Sequence, residues 1–341
     1  MNVALRRKKV LIRVDGYNKI GLGHIYRTIV IANHLNNYDV LFVSKKEYAL
    51  GINLLKENNY KIESFSNKEE FERIIRSYNP DIIINDILDT DMDYIKQLKE
   101  RQFFVVNFED LGEGAKSADL VINALYNRKN FLDNHHWGKD YYILRKEFHQ
   151  IPQKKNNKEV NNILITFGGT DPNNYTEKVL HVINNNHISN NIEINIILGL
   201  GFMNLEKLEK DIISLNPNIS IKHNVNNISK YMYEADIAFT SAGRTVYELA
   251  SIGTPTIVLA QNERELLHTF ANEENGFLNL GLGYTISNDT IRKCLDKLIS
   301  NYEFRNNLTN RMLEKNLRNG INNVIDLIFS HYEKYVNVRK L

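Results

Sequence analysis

The sequence predicts an α/β protein with two parallel β-sheets that are covered by helices. Two observations support this class. Short apolar runs typical of buried strands alternate with segments of helical periodicity almost throughout the 341 residues. The alternation is interrupted once, by a polar stretch, and then starts again. Strands that alternate with helices pair in parallel. The sequence therefore predicts two Rossmann-like domains, with ligands at the carboxyl ends of the strands and in a cleft between the domains.

The first domain is predicted to span residues 1–150. Its strand-like segments are, in order, KVLIRVD, DVLFVS, KIESF, DIIINDI, FFVVNFE and LVINAL. The segments of helical periodicity between them are HIYRTIVIANHLNN, YALGINLLKENN, KEEFERIIRSYN and MDYIKQLKE. Pro80 comes just after the third of these helices, where a helix is expected to stop.

The second domain is predicted to span residues 160–341, after a polar linker, HQIPQKKNNKEVNN, that runs from His149 to Asn162. Its strand-like segments are ILITFGG, IEINIIL, SIKHN, IAFTSAG and TPTIVLA. Its helical segments are YTEKVLHVINN, LEKLEKDIISL, ISKYMYEA, TVYELASIG and ERELLHTFANEENG. The closing region from Asp289 to Val338 is predicted to be mostly helical. Whether its last helix packs on the first domain stays open at this point.

Composition argues against several classes of function. The 43 basic and 41 acidic residues leave a formal net charge of +2, which gives no reason to expect a nucleic-acid partner. The single cysteine, Cys294, cannot form an internal disulfide and is expected to be structural. No apolar run approaches the ~18 residues of a membrane span, and no signal-peptide pattern precedes the first strand, so we expect a cytoplasmic protein. His135 and His136 are adjacent and lack metal-ligand spacing, so no metal is expected. No other cofactor is expected either.

The segment Gly21-Leu22-Gly23-His24 follows the first strand and opens the first helix. A glycine turn lets backbone N–H groups approach a phosphate or a sugar at the positive end of a helix. The third glycine of a dinucleotide fingerprint would fall at Tyr26, which disfavours that interpretation. An imidazole in the first helical turn can act as a base in a cleft. Taken alone, the loop also allows a capping or packing role for His24.

The segment TSAGRTVYELASIGTP provides a second strand-to-helix turn. The amides of Gly243, Arg244 and Thr245 are suited to a diphosphate. Glu248, one turn into the helix, can accept hydrogen bonds from ribose hydroxyls. Thr245 and Glu248 also have the spacing of a capping box, which would give them a purely local role. Spacing alone leaves both interpretations open.

A third glycine turn, FGGTDPNN, follows the first strand of the second domain. Gly168 and Gly169 allow a tight turn, Asp171 can cap the next helix, and Pro172 suits the first helical position. Local turn chemistry accounts for this pattern. Its place at the carboxyl end of a strand also makes it a candidate for the cleft.

Taken together, the segments IRVDG, IGLGHIYR, FGGTDP, AGRTVYELASIGTP and LAQNE resemble those of a known family. The sequence is similar to the UDP-sugar hydrolases of pseudaminic acid biosynthesis and to the related spore-coat polysaccharide proteins, which are predicted glycosyltransferases. More distantly it resembles the N-acetylglucosaminyltransferase of peptidoglycan synthesis, whose fold is GT-B. The resemblance covers roughly residues 9–285 and includes the connecting segment LRKEF.

The resemblance implies roles for residues in both domains. His24 is similar to the family's general base, which activates water against the anomeric carbon of a UDP-linked 2,4-diacetamido-2,4,6-trideoxyhexose. Gly243, Arg244 and Thr245 match the diphosphate-binding turn, and Glu248 matches the ribose-binding acid. The other positions expected to bind substrate are Asp15, Gly21, Gly23, Arg27, Asp86, Gly168, Gly169, Ala242, Asn262 and Glu263.

Four positions depart from the family pattern. Leu88 follows the NDI segment, where the hydrolases usually carry a tyrosine at the sugar site. Ala242 and Arg244 stand where glycine and serine are common, and Glu263 stands where glutamine is usual. The nucleotide end is therefore better supported than the sugar end. A nucleotide-sugar hydrolase is favoured. An inverting GT-B glycosyltransferase, in which His24 deprotonates an acceptor hydroxyl, and a non-catalytic nucleotide-sugar sensor or partner subunit stay open.

Overall fold

The structure is a computed structural model that describes residues 6–17, 21–127, 132–184, 192–203, 205, 206, 208 and 218–339. The chain divides into two compact units. The first consists of Met1–Arg145 together with Asn319–Leu341, and the second is Lys146–Arg318. Each unit contains its own parallel sheet and its own apolar core.

The first unit is built on a parallel sheet. Its strands are β1 (Lys9–Val14), β2 (Asp39–Lys45), β3 (Ile62–Phe65), β4 (Ile82–Asp86), β5 (Phe104–Phe108), β6 (Leu120–Asn123) and β7 (His135–Trp137). The helices that connect them are α1 (Gly23–Asn33), α2 (Ala49–Glu57), α3 (Lys68–Tyr78) and α4 (Met92–Glu100). Within the described residues, the order is β3-β2-β1-β4-β5-β6-β7. The chain runs outward from β1 to β3 and then returns to β4, so the switch point of this sheet lies between β1 and β4.

The second unit repeats the arrangement. Its strands are β8 (Asn162–Ile165), β9 (Glu193–Leu198), β10 (Ile219–His223), β11 (Ile237–Thr240), β12 (Thr256–Ala260) and β13 (Phe277–Leu282). Its helices include α5 (Glu147–Gln150), α6 (Tyr175–Asn184), α7 (Ile228–Glu234), α8 (Thr245–Ile252), α9 (Asn288–Ser300) and α10 (Tyr302–Leu313). The described strands follow the order β10-β9-β8-β11-β12-β13. The switch point of this sheet therefore lies between β8 and β11.

The last helix, α11 (Gly320–Val338), belongs to the first unit. The rings of Tyr332 and Tyr335 lie edge-on to the ring of Phe104 in β5, with centroids 5.5 and 5.3 Å apart. The Tyr335 hydroxyl donates to the backbone carbonyl of Gln102 at 2.9 Å. The second unit therefore ends earlier than the predicted second domain, residues 160–341. The last helix of that predicted domain packs on the first sheet, because aromatic side chains at its end cover β5.

The segment ERELLHTFANEENG does not form the predicted helix. It contains two 3₁₀ turns, Glu265–Leu267 and Glu273–Asn275. The side chain of Asn272 caps the second turn, and Glu265 forms hydrogen bonds to backbone groups elsewhere in the unit. Strands β7 and β13 are further differences, since neither was predicted. Most of the predicted helix LEKLEKDIISL lies outside the described residues.

Two features of the described residues bear on the expectations from composition. In the described part of the chain, no helix has both the length and the apolar character to cross a membrane. The same residues contain no cluster of three or more His, Cys, Asp or Glu side chains that could hold a metal ion. Cys294 lies partly buried in α9 as a free thiol. Burial raises the pKa of this thiol, which fits a packing role.

Candidate active site

The first predicted glycine turn lies at the switch point of the first sheet. It follows β1 and opens α1, whereas β4, on the other side of the switch point, ends at Asp86. The two strands pair in parallel with Val14 opposite Asp86. Because the carboxyl ends of parallel strands share one edge, residues that follow β1 meet residues that end β4.

His24 and Asp86 form a hydrogen-bonded pair at this edge. Nδ1 of His24 contacts Oδ1 of Asp86, whose side chain is completely buried. Since a carboxylate accepts the Nδ1 proton, Nε2 carries the lone pair of the neutral ring. Among the described residues Nε2 has no hydrogen-bond partner, and the His24 side chain is 11% exposed. An imidazole that a carboxylate orients in this way is able to accept a proton at Nε2.

Arg27 is the buried counter-ion of this pair. Its Nε donates to Oδ2 of Asp86 at 2.7 Å, and its Nη2 donates to Oδ1 at 2.5 Å, which makes a bidentate contact. Burial by itself raises the pKa of Asp86, but the charge of Arg27 and the hydrogen bonds from Arg27 and His24 outweigh it and hold the pKa well below the usual range. Asp86 is therefore ionised at neutral pH. Arg27 was predicted to bind substrate, and the structure places it as a buried partner of Asp86.

Glu109, which the sequence analysis did not select, is the second carboxylate bound to Arg27. It follows β5, the neighbour of β4, and its Oε1 accepts Nη1 of Arg27 at 2.9 Å. The backbone N–H groups of Ala124 and Leu125 donate to its two oxygens at 3.2 Å. Its φ of 53° lies in the left-handed region, and these bonds hold it there. An acidic residue directly after a buried strand, at the same edge as Asp86, was the signal that could have identified it.

The remaining predicted residues of the first unit surround this group. The Asp15 carboxylate pairs with the guanidinium of Arg13 through both oxygens and accepts the Ser44 hydroxyl at 3.3 Å. Its role in this structure is therefore to hold the end of β1. Gly21 has a φ of 75°, which glycine adopts without steric cost. Gly23 is the first residue of α1, and among the described residues no side chain caps this helix end. The uncapped amides are the part of the loop suited to an anion.

In the second unit, the turn after β8 lies close to the loop after β9. Gly168 has a φ of 78°. A Cβ on Gly199 would lie 2.4 Å from the carbonyl oxygen of Gly168 and 2.5 Å from the backbone of Gly169. The two loops therefore approach each other at a distance that only glycine permits at position 199.

Asp171 caps α6, as predicted. Its two carboxylate oxygens accept the backbone N–H groups of Tyr175 at 3.0 Å and Thr176 at 2.9 Å. Nε2 of Gln261 donates to the same carboxylate at 2.8 Å and so joins the loop after β8 to the loop after β12. The prediction that Pro172 occupies the first helical position is wrong, because α6 begins at Tyr175.

The turn between β11 and α8 presents uncapped amides. The helix begins at Thr245 with Arg244 at the N-cap, and no side chain from the described part of the chain caps it. The capping box of Thr245 and Glu248 is therefore not formed. Within the described residues, the backbone N–H groups of Gly243 and Thr245 have no hydrogen-bond partner. Free N–H groups at the start of a helix bind phosphates, and Glu248 lies one turn further in, 8% exposed.

The backbone N–H of Ala242 differs from those of Gly243 and Thr245. It donates to Oε2 of Glu265 at 3.1 Å, so this position, predicted to bind substrate, has a partner inside the protein. Glu265 also accepts the backbone N–H of Gln261 at 2.8 Å. Burial raises the pKa of Glu265 to about 7, although the bonds from Gln261, Ala242 and Ser241 lower it. Sequence reasoning missed Glu265 because it placed this segment in a regular helix.

Asn262 and Glu263 lie in the exposed loop after β12, next to β11 in the sheet. Oδ1 of Asn262 accepts the backbone N–H of Glu265 at 3.1 Å. Oε1 of Glu263 accepts the Tyr284 hydroxyl at 3.1 Å. The structure thus brings the predicted residues together in two groups, one at the carboxyl edge of each sheet. The first group contains Asp15, Gly21, Gly23, His24, Arg27 and Asp86, and the second contains Gly168, Gly169, Ala242, Gly243, Arg244, Thr245, Glu248, Asn262 and Glu263.

Comparison with known proteins defines the class. Residues 162–328 match the sequence model of the glycosyltransferase family 28 C-terminal domain. The fold matches MurG of Acinetobacter baumannii over 95% of this chain and 99% of that one, with a TM-score of 0.68 and 14% identity. It also matches HepE of Anabaena, solved with UDP-glucose, over 96% and 99% of the chains, with a TM-score of 0.62 and 13% identity. The chain has the GT-B fold, and the stretch that matches the glycosyltransferase family 28 C-terminal domain lies mostly in the second unit.

More specific relatives confirm the resemblance seen in the sequence. An uncharacterized protein of Methanocaldococcus jannaschii is 33% identical over 274 residues, which cover 75% of this chain and only 56% of that protein. The spore coat polysaccharide biosynthesis protein SpsG of Bacillus subtilis is 26% identical over 85% of this chain and 88% of its own length. The UDP-2,4-diacetamido-2,4,6-trideoxy-beta-L-altropyranose hydrolase of Campylobacter jejuni is 28% identical over 70% and 87%, respectively. The chain is thus a distant homologue of UDP-sugar hydrolases and of SpsG.

Proposed function

We propose that this protein hydrolyses a UDP-linked 2,4-diacetamido-2,4,6-trideoxyhexose to the free sugar and UDP, as a step in the biosynthesis of a nonulosonic acid of the pseudaminic type. In this proposal the first unit binds the sugar and carries out catalysis, and the second unit binds the nucleotide. The observation that carries the proposal is the His24–Asp86 pair with its buried partner Arg27. The hydrolase relative in Campylobacter jejuni supports the choice of substrate.

The proposed chemistry begins at Nε2 of His24. Asp86 holds the Nδ1 proton, so Nε2 is free to take a proton from water as the water oxygen attacks the anomeric carbon. The bond from that carbon to the diphosphate oxygen breaks, the configuration at the anomeric carbon inverts, and UDP departs with the bonding electron pair. As the proton passes to Nε2, the imidazolium that forms is stabilised by the ionised Asp86 carboxylate.

The proposed leaving group is held by the second unit. The amides of Gly243 and Thr245, together with the turn residue Arg244, lie at the start of α8, where the positive end of the helix stabilises the charge that develops on the diphosphate. Glu248 would accept hydrogen bonds from the ribose hydroxyls. Its place one turn into the helix that begins at this turn supports the assignment.

The direct test is UDP release from a UDP-linked diacetamido-trideoxyhexose without any acceptor. We expect the native protein to release UDP. His24→Ala should lose this activity by about two to four orders of magnitude, the usual contribution of a general base, while it still binds UDP. His34→Ala, at the exposed C-terminal end of the same helix, is the matched control and should keep the activity. Equal rates in the two variants would refute the role of His24.

A second candidate function is an inverting GT-B glycosyltransferase for surface polysaccharide synthesis. The family 28 match of residues 162–328 favours it, as does Leu88, which stands where the hydrolases usually carry a tyrosine and adopts a φ of 70°. Here His24 would deprotonate an acceptor hydroxyl instead of water. UDP that appears only after a sugar acceptor is added would establish this function and refute the hydrolase.

A further inference from the structure

The backbone of Ala242 is held at its N–H and at its carbonyl by one short segment. Oε2 of Glu265 accepts its N–H at 3.1 Å. Nδ1 of His268 donates to its carbonyl oxygen at 2.8 Å. Both side chains come from the 3₁₀ turn after β12 and the residue that follows it. We call Ala242, Glu265 and His268 the Ala242 clamp. It fixes the backbone of Ala242, the residue that directly precedes Gly243.

The clamp is tied to the other loops at this edge of the second sheet. Glu265 also accepts the backbone N–H of Gln261 at 2.8 Å, and the Gln261 side chain donates to Asp171 at 2.8 Å. Nδ2 of Asn173 donates to the Gln261 carbonyl oxygen at 2.7 Å and to its Oε1 at 2.8 Å. One hydrogen-bonded chain therefore joins the loops after β8, β11 and β12. Within this hydrogen-bonded chain, Glu265 is the acidic side chain that lies next to the turn between β11 and α8.

The Glu265 carboxyl lies directly beside that turn. A Cβ added to Gly243 would be only 3.3 Å from Oε1 of Glu265. The amides of Gly243 and Thr245, which have no partner among the described residues, thus share their surroundings with a buried carboxyl group. A negative charge here holds the turn in shape, but it also repels any anion that the turn binds.

We propose that Glu265 is a positioning residue for the diphosphate of the nucleotide, and that its protonation state controls the affinity of the turn for that anion. The inference rests on the proposed function, because it takes a nucleoside diphosphate as the ligand. In the neutral carboxyl the carbonyl oxygen still accepts the two N–H groups, and the hydroxyl can donate to Ser241. The clamp therefore persists without the charge. In the ionised form the same atoms hold the turn and repel the diphosphate.

The groups around Glu265 allow it to titrate in the required range. Burial raises its pKa to about 7. Tyr175 in α6 interacts electrostatically with it, Asp171 is connected to it through Gln261, and His268 binds the other side of Ala242. Within the described residues Glu265 forms no ion pair that would offset the burial. Since a bound diphosphate disfavours the carboxylate further, nucleotide binding should take up a proton near neutral pH.

The test is calorimetric titration of the full chain with UDP between pH 6 and pH 9, in buffers of different ionisation enthalpy. We compare the native protein with Glu265→Gln, which keeps the shape and an acceptor oxygen but cannot ionise. The terminal phosphate of UDP titrates equally in both. We expect the native affinity to fall roughly tenfold more than the Glu265→Gln affinity over this range, since a charge pair at short range in protein is worth at least this much. Only the native protein should take up the additional proton.

The matched control is Glu274→Gln, which removes an exposed carboxylate from the same loop and should keep the native pH profile. His268→Asn retains a donor for the Ala242 carbonyl and should also keep the profile. A Glu265→Gln profile equal to the native one would overturn this inference, and so would native UDP binding without additional proton uptake. UDP release in the hydrolase assay would then still stand. A native protein that binds no UDP at any pH would refute both proposals.

Discussion

Replacement of Arg27 by methionine tests the buried charges of the first unit. The change keeps most of the side-chain length and removes the cation that Asp86 and Glu109 share. Both carboxylates are almost completely buried. Removing one partner of a buried ion pair costs about 3–5 kcal/mol, because the other charge stays buried and unpaired. Two carboxylates are left here, so we expect the free energy of unfolding at pH 7 to fall by about 5 kcal/mol.

The sign of the pH dependence follows from the pKa of Asp86. In the native protein this pKa is held below its usual range, so its stabilising effect is present above the unfolded-state pKa and is lost only as the pH falls through the lower folded value. In Arg27→Met the burial is no longer offset, and it raises the pKa of Asp86 instead. The penalty then develops above the unfolded-state pKa of about 4. The destabilisation by Arg27→Met should therefore be smaller at about pH 4.5 than at pH 7.

The assay is urea unfolding followed by the fluorescence of Trp137. It is the only tryptophan of the chain and lies in β7, so it reports on the unit that contains Arg27. Arg76→Met is the matched control. Arg76 pairs with Glu72 on the exposed surface of α3 and should change the unfolding midpoint little. The double variant Arg27→Met/Glu109→Gln should recover part of the loss, because one buried charge is removed.

Two results would refute this reasoning. One is an Arg27→Met protein with the same unfolding midpoint as Arg76→Met. The other is a loss that is as large at about pH 4.5 as at pH 7. In either case the Arg27 guanidinium would not be compensating buried ionised carboxylates, and the support it gives to the His24–Asp86 pair would have to be reconsidered.

Three further predictions concern other contacts. Thr245→Ala should leave stability nearly unchanged, whereas Asn67→Ala, which removes the side-chain cap of α3, should cost about 1 kcal/mol; equal losses in urea unfolding followed by circular dichroism would contradict the uncapped turn. Gly199→Ala should destabilise the second unit by about 1–3 kcal/mol, because its Cβ would lie 2.4 Å from a carbonyl oxygen; a melting temperature equal to the native one would contradict this close approach. Since the folded pKa of Glu265 lies above its ordinary value of 4.5, native stability should decrease between pH 4.5 and pH 7 by up to about 3 kcal/mol more than in Glu265→Gln. Parallel pH profiles of the two melting temperatures would show that this carboxyl does not titrate as expected.

Much of the fold could be predicted because central parallel strands are buried along their whole length. The segments KVLIRVD and DIIINDI read as apolar runs for this reason, and they form β1 and β4. The glycine turn before His24 could be found because a strand, a turn and a helix leave local signals. These signals place the site at the carboxyl edge of the sheet, which is where the structure has the His24–Asp86 pair.

The role of Arg27 depends on partners that are far away in sequence. Glu109 is 82 residues from Arg27, so no local pattern reveals that the guanidinium lies between two carboxylates. The helix predicted for the segment from Glu263 to Gly276 was wrong for a similar reason. Leu266 and Leu267 fit a helical pattern, yet they are 43% and 41% exposed. The bonds that Glu265 makes to distant backbone groups override the local helical preference.

The return of α11 to the first sheet has a consequence for the order in which the chain can fold. The first unit is discontinuous in sequence, and residues 146–318 are synthesised between its two parts. The ring of Phe104 receives Tyr332 and Tyr335 only after the second unit has been made. We therefore expect the second unit to be able to fold on the ribosome while the first still lacks one of its helices. A fragment that ends before Gly320 should leave this aromatic surface of β5 uncovered and prone to aggregation.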